Sequence, residues 1–80
     1  MKYTVSDLSS RLGVSNSEVY RRLANLGIVG SPTQHYITEY GKQFAEESYI
    51  RNDRYGRHYW LQTFKGIVLE MLRENGDNNS

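Results

Sequence analysis

The side chains best suited to bind a partner lie in two stretches of the sequence, and the first is "SNSEVYRRLANLGIV", residues 15–29. On a helix, the outward face of this stretch would carry Ser17, Tyr20, Arg21 and Asn25. Arginine and asparagine hydrogen-bond to base edges, whereas serine and tyrosine contact phosphates. The same side chains also suit a protein surface. The sequence therefore predicts a binding face here without choosing between DNA and protein.

The second stretch, "RNDRYGRHYW" at residues 51–60, alternates arginines with aromatic residues. On nucleic acid, such residues contact phosphates and stack on bases. Tyrosine, tryptophan and arginine also contribute most of the binding energy in many protein interfaces. We predict that Trp60 completes the core and that the other members form an exposed binding surface: Arg51, Arg54, Tyr55, Arg57 and Tyr59.

Catalytic chemistry is poorly supported by the residues present. The two histidines, His35 and His58, stand alone and lack the i, i+4 spacing of a helical metal pair. The chain has no cysteine, no G-x-S-x-G sequence and no glycine-rich phosphate loop. Glu46 and Glu47 are adjacent, so on a helix their side chains would diverge by about 100°. We expect no catalytic residue, no metal site and no cofactor.

Length and charge limit the possibilities further. Eighty residues form one domain, which we place at residues 1–76, followed by a disordered polar tail at 77–80. A chain this short buries only about 60% of its unfolded surface, so we expect it to form a homo-oligomer. The net charge of +1 gives little general attraction to DNA. With no apolar stretch of roughly 20 residues and no export signal, we expect no membrane contact and a cytoplasmic location.

Two short helices are indicated near the start of the chain. Thr4 is a suitable N-cap with Asp7 three residues later, and Gly13 is suited to end that helix. Ser15 and Glu18 form a second such pair at the start of the next helix, which ends near a glycine at position 27. Two capped helices joined by a short glycine-containing turn predict a helix-turn-helix.

The rest of the chain predicts a mixture of elements. We expect a short strand at 34–37 and a third helix that Thr38 starts and that spans 39–47. Two strands should follow within residues 48–62, around a turn at 52–56. Thr63 should cap a last helix that ends at Asn75 and Gly76. The predicted fold is α+β and mostly helical, with a helix-turn-helix, a short hairpin as in winged-helix proteins, and a C-terminal amphipathic helix.

The last helix is predicted to have an apolar stripe with two possible uses. The stripe can complete the core of the domain, or it can contact a second copy of the chain, and the two uses are compatible. For the contact between copies we name Leu61, Phe64, Val68, Met71 and Leu72, and the stripe also includes Ile67.

Three segments in this order resemble one family. "YTVSDLSSRLGVSNSEVYRRLANLGIV", "YITEYGKQFAEE" and "GRHYWLQTFKGIVLEML" are similar to the C-terminal domain of phage antirepressor proteins and to the small antirepressors of temperate phages. The matching residues are Leu26-Gly27, Thr38 with Gly41, Trp60, and Leu69 with Leu72. The resemblance implies a non-catalytic protein in the bacterial cytoplasm that binds a prophage repressor of the helix-turn-helix type and keeps it from its operators. It assigns no binding residue.

The alternative is a small winged-helix DNA-binding regulator, with the second helix in the major groove and residues 51–57 as a wing. Acidic residues at positions 18, 39, 46 and 47 dilute the positive charge that such a protein needs. The resemblance, supported by this charge balance, favours the antirepressor, with DNA as the second choice of partner.

Overall fold

A computed structural model of the chain describes residues 1–51 and 53–77, which fold into a small α+β domain of three helices and one three-stranded antiparallel sheet. The α+β prediction is confirmed. The elements in chain order are β1 (Lys2–Tyr3), α1 (Val5–Leu12), α2 (Asn16–Asn25), a 3₁₀ turn (Gly41–Gln43), β2 (Ala45–Ile50), β3 (Tyr59–Lys65) and α3 (Gly66–Asp77).

The caps of the first two helices form much as their residue types predict. The hydroxyl of Thr4 accepts from the Asp7 amide at 3.1 Å, and the Asp7 carboxylate accepts from the Thr4 amide at 3.0 Å. Gly13 ends α1 with a φ of 70°, a left-handed conformation that glycine adopts without strain. At α2, the Ser15 hydroxyl accepts from the Glu18 amide. The Glu18 carboxylate does not complete the second capping box, because it binds two arginines of its own helix.

The predicted third helix at 39–47 is wrong. The Thr38 hydroxyl donates back to the Gly27 carbonyl and accepts from the Gly41 amide, which closes a turn. Gly41 lies so close to Ile28 that a Cβ at this position would collide with the Ile28 carbonyl oxygen. After a single 3₁₀ turn the chain enters β2 at Ala45, since the following residues pair with β3. The strand predicted at 34–37 is also wrong, apart from one isolated bridge between residues 29 and 37.

The start of the last helix lies later than predicted. Thr63 is a strand residue opposite Glu46, and Phe64 pairs with both Tyr3 and Ala45. Strand β3 is the centre of the sheet, whose order is β1-β3-β2. The helix begins at Gly66. Residues 59–65 cannot belong to it, because their backbone groups form hydrogen bonds with neighbouring strands of the sheet.

The end of the last helix also differs from the prediction. Helix α3 continues through Asn75 and Gly76 to Asp77, so these two residues do not terminate it. The predicted disordered tail falls at 77–80, of which 78–80 lie outside the described residues. No helix among residues 1–51 and 53–77 is long and apolar enough to cross a membrane.

The core lies between the three helices and the inner face of the sheet. Its fully buried side chains come from α1, α2, the segment after α2, β3 and α3, and they are Leu8, Val19, Leu23, Ile28, Val29, Phe64, Val68 and Leu72. Ile67, which was predicted to share the apolar stripe, is 56% exposed. The buried face of α3 therefore consists of Val68, Leu69 and Leu72, and Ile67 lies outside it.

The role of Phe64 can be tested by truncation. Phe64→Ala should lower the free energy of unfolding by about 3–5 kcal/mol, because the cavity forms where the sheet packs on the helices. The exposed neighbour Ile67→Ala should change it by less than about 0.5 kcal/mol. Urea denaturation followed by circular dichroism measures both. Equal losses in the two variants would contradict the placement of Phe64 in the core.

Candidate partner-binding surface

One glutamate of helix α2 binds both arginines of that helix. The Glu18 carboxylate accepts hydrogen bonds from Arg21 Nε at 2.7 Å and Nη2 at 2.5 Å, and from Arg22 Nε at 2.8 Å. These hydrogen bonds lower the pKa of Glu18 to about 2. Arg22 also donates to the Leu72 carbonyl of α3 at 3.4 Å. Arg21, the residue predicted to read base edges, is therefore held against its own helix by two hydrogen bonds.

Tyr20 connects three elements and does not stand free on the outer face. Its ring stacks on His35 with 3.4 Å between centroids and 4° between planes. Its hydroxyl donates to Gln62 Oε1 at 3.4 Å, and the Gln62 amide donates to the His35 carbonyl. Partial burial raises the pKa of Tyr20. Tyr20, which was predicted to contact phosphate, therefore packs against other elements of its own chain. Ser17 and Asn25 are exposed, as predicted.

Asp53 closes the turn between β2 and β3. Its carboxylate accepts from the Arg57 amide, the Tyr55 amide and Arg57 Nε, all at 2.8–3.0 Å. The hydrogen bond from the Arg57 amide is the main cause of the lowered pKa of Asp53. Gly56 turns the chain with a φ of 73°. At this tip of the hairpin Arg54 and Tyr55 are exposed, as predicted, while the charge of Arg57 is offset by Asp53.

The hairpin presents an exposed aromatic face that the sequence did not predict. Trp60 is 65% exposed, so its predicted place in the core is wrong. The ring of Tyr49 lies edge-on to that of Trp60, with 5.3 Å between centroids, and 6.2 Å from that of His58. Arg51 lies 5.8 Å above the Tyr49 ring. We call Tyr49, His58 and Trp60 the aromatic face.

The strand register explains why Trp60 is outside the core. Side chains that lie directly opposite each other in the ladder share a face of the sheet. The inner face carries, from the core outward, the pairs Ala45 with Phe64, Glu47 with Gln62, and Tyr49 with Trp60. Phe64 and Ala45 fill the space under the helices, and the hairpin then carries Tyr49 and Trp60 into solvent. Tyr59, also exposed, points to the opposite face of the same strand.

A groove separates the aromatic face from the starts of α1 and α2. Its volume is about 370 Å³. The stacked pair of Tyr20 and His35 lies along it, and Trp60 lies on its hairpin side. The complete lining is Thr4, Val5, Ser6, Asn16, Tyr20, His35, Glu47, Trp60, Leu61 and Gln62. A partner side chain could therefore contact Trp60 and the first turns of both helices together.

The residues predicted to join two copies of the chain fall into two groups. Phe64, Val68 and Leu72 are fully buried in the core of the single chain, so they offer no surface to a second copy. Leu61 and Met71 are half-buried. This corrects the residue set for the predicted contact, because the apolar stripe of α3 serves the domain itself.

Most of the basic side chains are offset by a neighbouring acid. The described residues contain six ion pairs, each with a different one of the ten lysines and arginines. Exposed pairs of this kind add little stability. They do reduce the local positive potential that attracts DNA. The cations so engaged are Lys2, Arg21, Arg22, Lys42, Arg57 and Arg73.

Comparison with known proteins found no matching family model, no similar curated protein and no similar solved structure. Among residues 1–51 and 53–77, no group of three or more potential ligands is arranged to hold a metal ion.

The arginine clamp on α2 predicts a pH-dependent stability. The folded-state pKa of Glu18 is about 2, against an ordinary value of 4.5, so its contribution is present above pH 4.5 and is lost as the pH falls toward 2. In Glu18→Gln, unfolding free energies should therefore fall less than in the wild type across this window. Glu47→Gln, which removes a carboxylate outside the six ion pairs, should follow the wild type. Parallel curves for Glu18→Gln and the wild type would contradict the clamp.

Proposed function

We propose that this chain is a non-catalytic antirepressor that binds a helix-turn-helix repressor of a temperate phage and keeps it from its operator DNA. The observation that carries the proposal is the aromatic face, where Trp60 and Tyr49 stand in solvent beside a groove. An exposed tryptophan flanked by tyrosine and arginine is the residue pattern of a protein-binding hot spot. Burial of a large aromatic side chain such as Trp60 against a partner contributes a large favourable term to the binding free energy.

The charge distribution supports a protein partner over DNA. On α2, the guanidinium groups of Arg21 and Arg22 both bind the Glu18 carboxylate, which halves the positive charge of the helix and holds both side chains. Specific DNA binding draws on phosphate contacts by free basic side chains. The similarity of three sequence segments to phage antirepressors gives the partner's class, and the exposed aromatic residues give the proposed mode of contact.

A winged-helix DNA-binding regulator is the second candidate, and the order of elements favours it. Two helices joined by a short turn at residues 13–15 precede the β2–β3 hairpin. The second strand of this hairpin, β3, also pairs with the N-terminal strand β1. A winged helix likewise sets a hairpin beside a helix-turn-helix. The exposed residues Ser17 and Asn25 on α2 would then face the major groove, with Arg54 at the tip of the hairpin on phosphate.

Mixing the chain with the repressor encoded next to it tests the antirepressor proposal. Light scattering on a sizing column should show a mixed complex, and the repressor should release a labelled operator. Trp60→Ala should weaken the complex about 30-fold, as expected for a hot-spot tryptophan. Tyr59→Ala removes an aromatic ring from the opposite face of the same strand and should leave the affinity within about threefold of the wild type. Separate elution of the two wild-type proteins would refute the proposal.

A DNA titration separates the two candidates. The wild-type chain should show no binding to duplex DNA at physiological salt, because both arginines of α2 already bind Glu18. Fluorescence anisotropy with a labelled duplex measures this at low and physiological ionic strength. If the chain binds DNA, and Arg21→Ala abolishes that binding, the winged-helix regulator replaces the antirepressor.

A further inference from the structure

The inner face of the hairpin changes in chemistry along its length. Each residue of a strand advances by about 3.3 Å, so side chains two apart on one face are separated by about 7 Å. Moving outward from the buried end, the face is apolar, then polar, then aromatic, then basic. The successive paired levels are Ala45 with Phe64, Glu47 with Gln62, and Tyr49 with Trp60. Beyond the last pair, Arg51 lies over the Tyr49 ring.

The outer end of the hairpin carries arginines that form no ion pair within the described residues. Asp53 offsets Arg57, with 3.0 Å between the carboxylate and Nε. Arg51 and Arg54 are exposed and form no ion pair with the side chains described in 1–51 and 53–74. Arg51 is also held over the Tyr49 ring, which places its charge at the edge of the aromatic face. A hairpin with one unpaired arginine over the Tyr49 ring, a second in its turn and an exposed tryptophan matches a partner with carboxylates near an apolar side chain.

We propose that the aromatic face and its basic outer end dock an acidic segment of the partner protein, with an apolar side chain of that segment on Trp60 and its carboxylates on Arg51 and Arg54. This inference rests on the proposed function and specifies the surface of the partner. The two levels are about 7 Å apart, so the acidic and apolar residues lie about one turn apart on a partner helix, or two residues apart on a strand.

The same charges decide which surface of a repressor the chain binds. The DNA-reading surface of a repressor must be basic to hold phosphates. A hairpin that ends in Arg51 and Arg54 is repelled by such a surface, so the chain does not act as an imitation of DNA. The proposed docking therefore places the hairpin on an acidic surface of the repressor, apart from its phosphate-binding side chains.

A nucleic acid strand fits the face less well than an acidic peptide does. Glu47 lines the groove one level below Trp60, so a phosphate backbone that followed the groove would meet a carboxylate. Stacked bases also require neutralised phosphates along the strand, whereas the unpaired arginines of the hairpin lie only at its outer end. A single-stranded oligonucleotide is therefore the competing ligand in the experiment below.

Trp60 is the only tryptophan in the chain, so its fluorescence reports directly on this face. The probe is a synthetic alanine-based helical peptide with a Glu pair and a Leu pair one turn apart. Titration should shift the Trp60 emission, and the same peptide with Gln in place of Glu should bind at least about tenfold more weakly. The double variant Arg51→Glu with Arg54→Glu should lose binding to a similar extent. Lys65→Glu, which reverses a charge at the far end of β3, should bind as the wild type does.

Other outcomes would overturn the inference. Equal binding of the Glu and Gln peptides, or unchanged binding by the double variant, would show that the basic end is not part of the interface. Tighter binding of a single-stranded oligonucleotide than of the acidic peptide would assign the face to nucleic acid.

The repressor itself separates the two proposals. If the repressor binds the double variant as tightly as the wild type, the antirepressor function stands and the acidic docking is wrong. If the acidic peptide binds and the repressor does not, the docking chemistry stands and the antirepressor function is wrong. Measuring both partners with the same set of variants therefore gives each proposal its own result.

Discussion

The arrangement of this domain depends on the burial of Phe64 in the central strand. Strand β3 pairs with β1 on one side and β2 on the other, and Phe64 is the residue at which both pairings meet the core. A slip of one residue in the register would turn Phe64 to solvent and bring a lysine or threonine inward. Burial of this ring therefore fixes the register. The register in turn fixes which face of the hairpin carries Tyr49 and Trp60 into solvent.

A second constraint acts within helix α2. Glu18 lies three residues before Arg21 and four before Arg22, the two spacings at which side chains meet on a helix. Arg22 also reaches the Leu72 carbonyl, which ties α2 to the last helix. The charged side chains in the middle of α2 are therefore bound to one another. Arg51 and Arg54, which form no ion pair within the described residues, lie at the outer end of the hairpin.

These two constraints place aromatic and basic residues where only a partner can cover them. The helices and Phe64 complete the core, so Trp60 is not needed there. The hairpin holds Trp60 at the edge of a groove that the first turns of α1 and α2 share. Asp53 fixes the turn at the end of the hairpin, which limits the conformational freedom that a partner would have to remove. The turn therefore holds the end of the hairpin in a defined conformation.

The sequence alone determined the local structure. Thr4, Asp7, Gly13 and Ser15 specified two capped helices, since caps depend on residues three or four apart. The turn of the hairpin was also predictable, because Asp53 and Gly56 act within one turn.

Tertiary structure decided the rest, because it depended on contacts between distant residues. Phe64 has the spacing of a helical stripe with Val68, and only pairing with Tyr3 and Ala45 made it a strand residue. Gly41 stopped the expected third helix through its close approach to Ile28, thirteen positions earlier in the chain. Trp60 was expected in the core because large aromatic rings are usually buried. A close-packed core has a fixed volume, however, so the space under the helices holds a limited number of rings. Once Phe64 occupied that space, Trp60 was left on the surface.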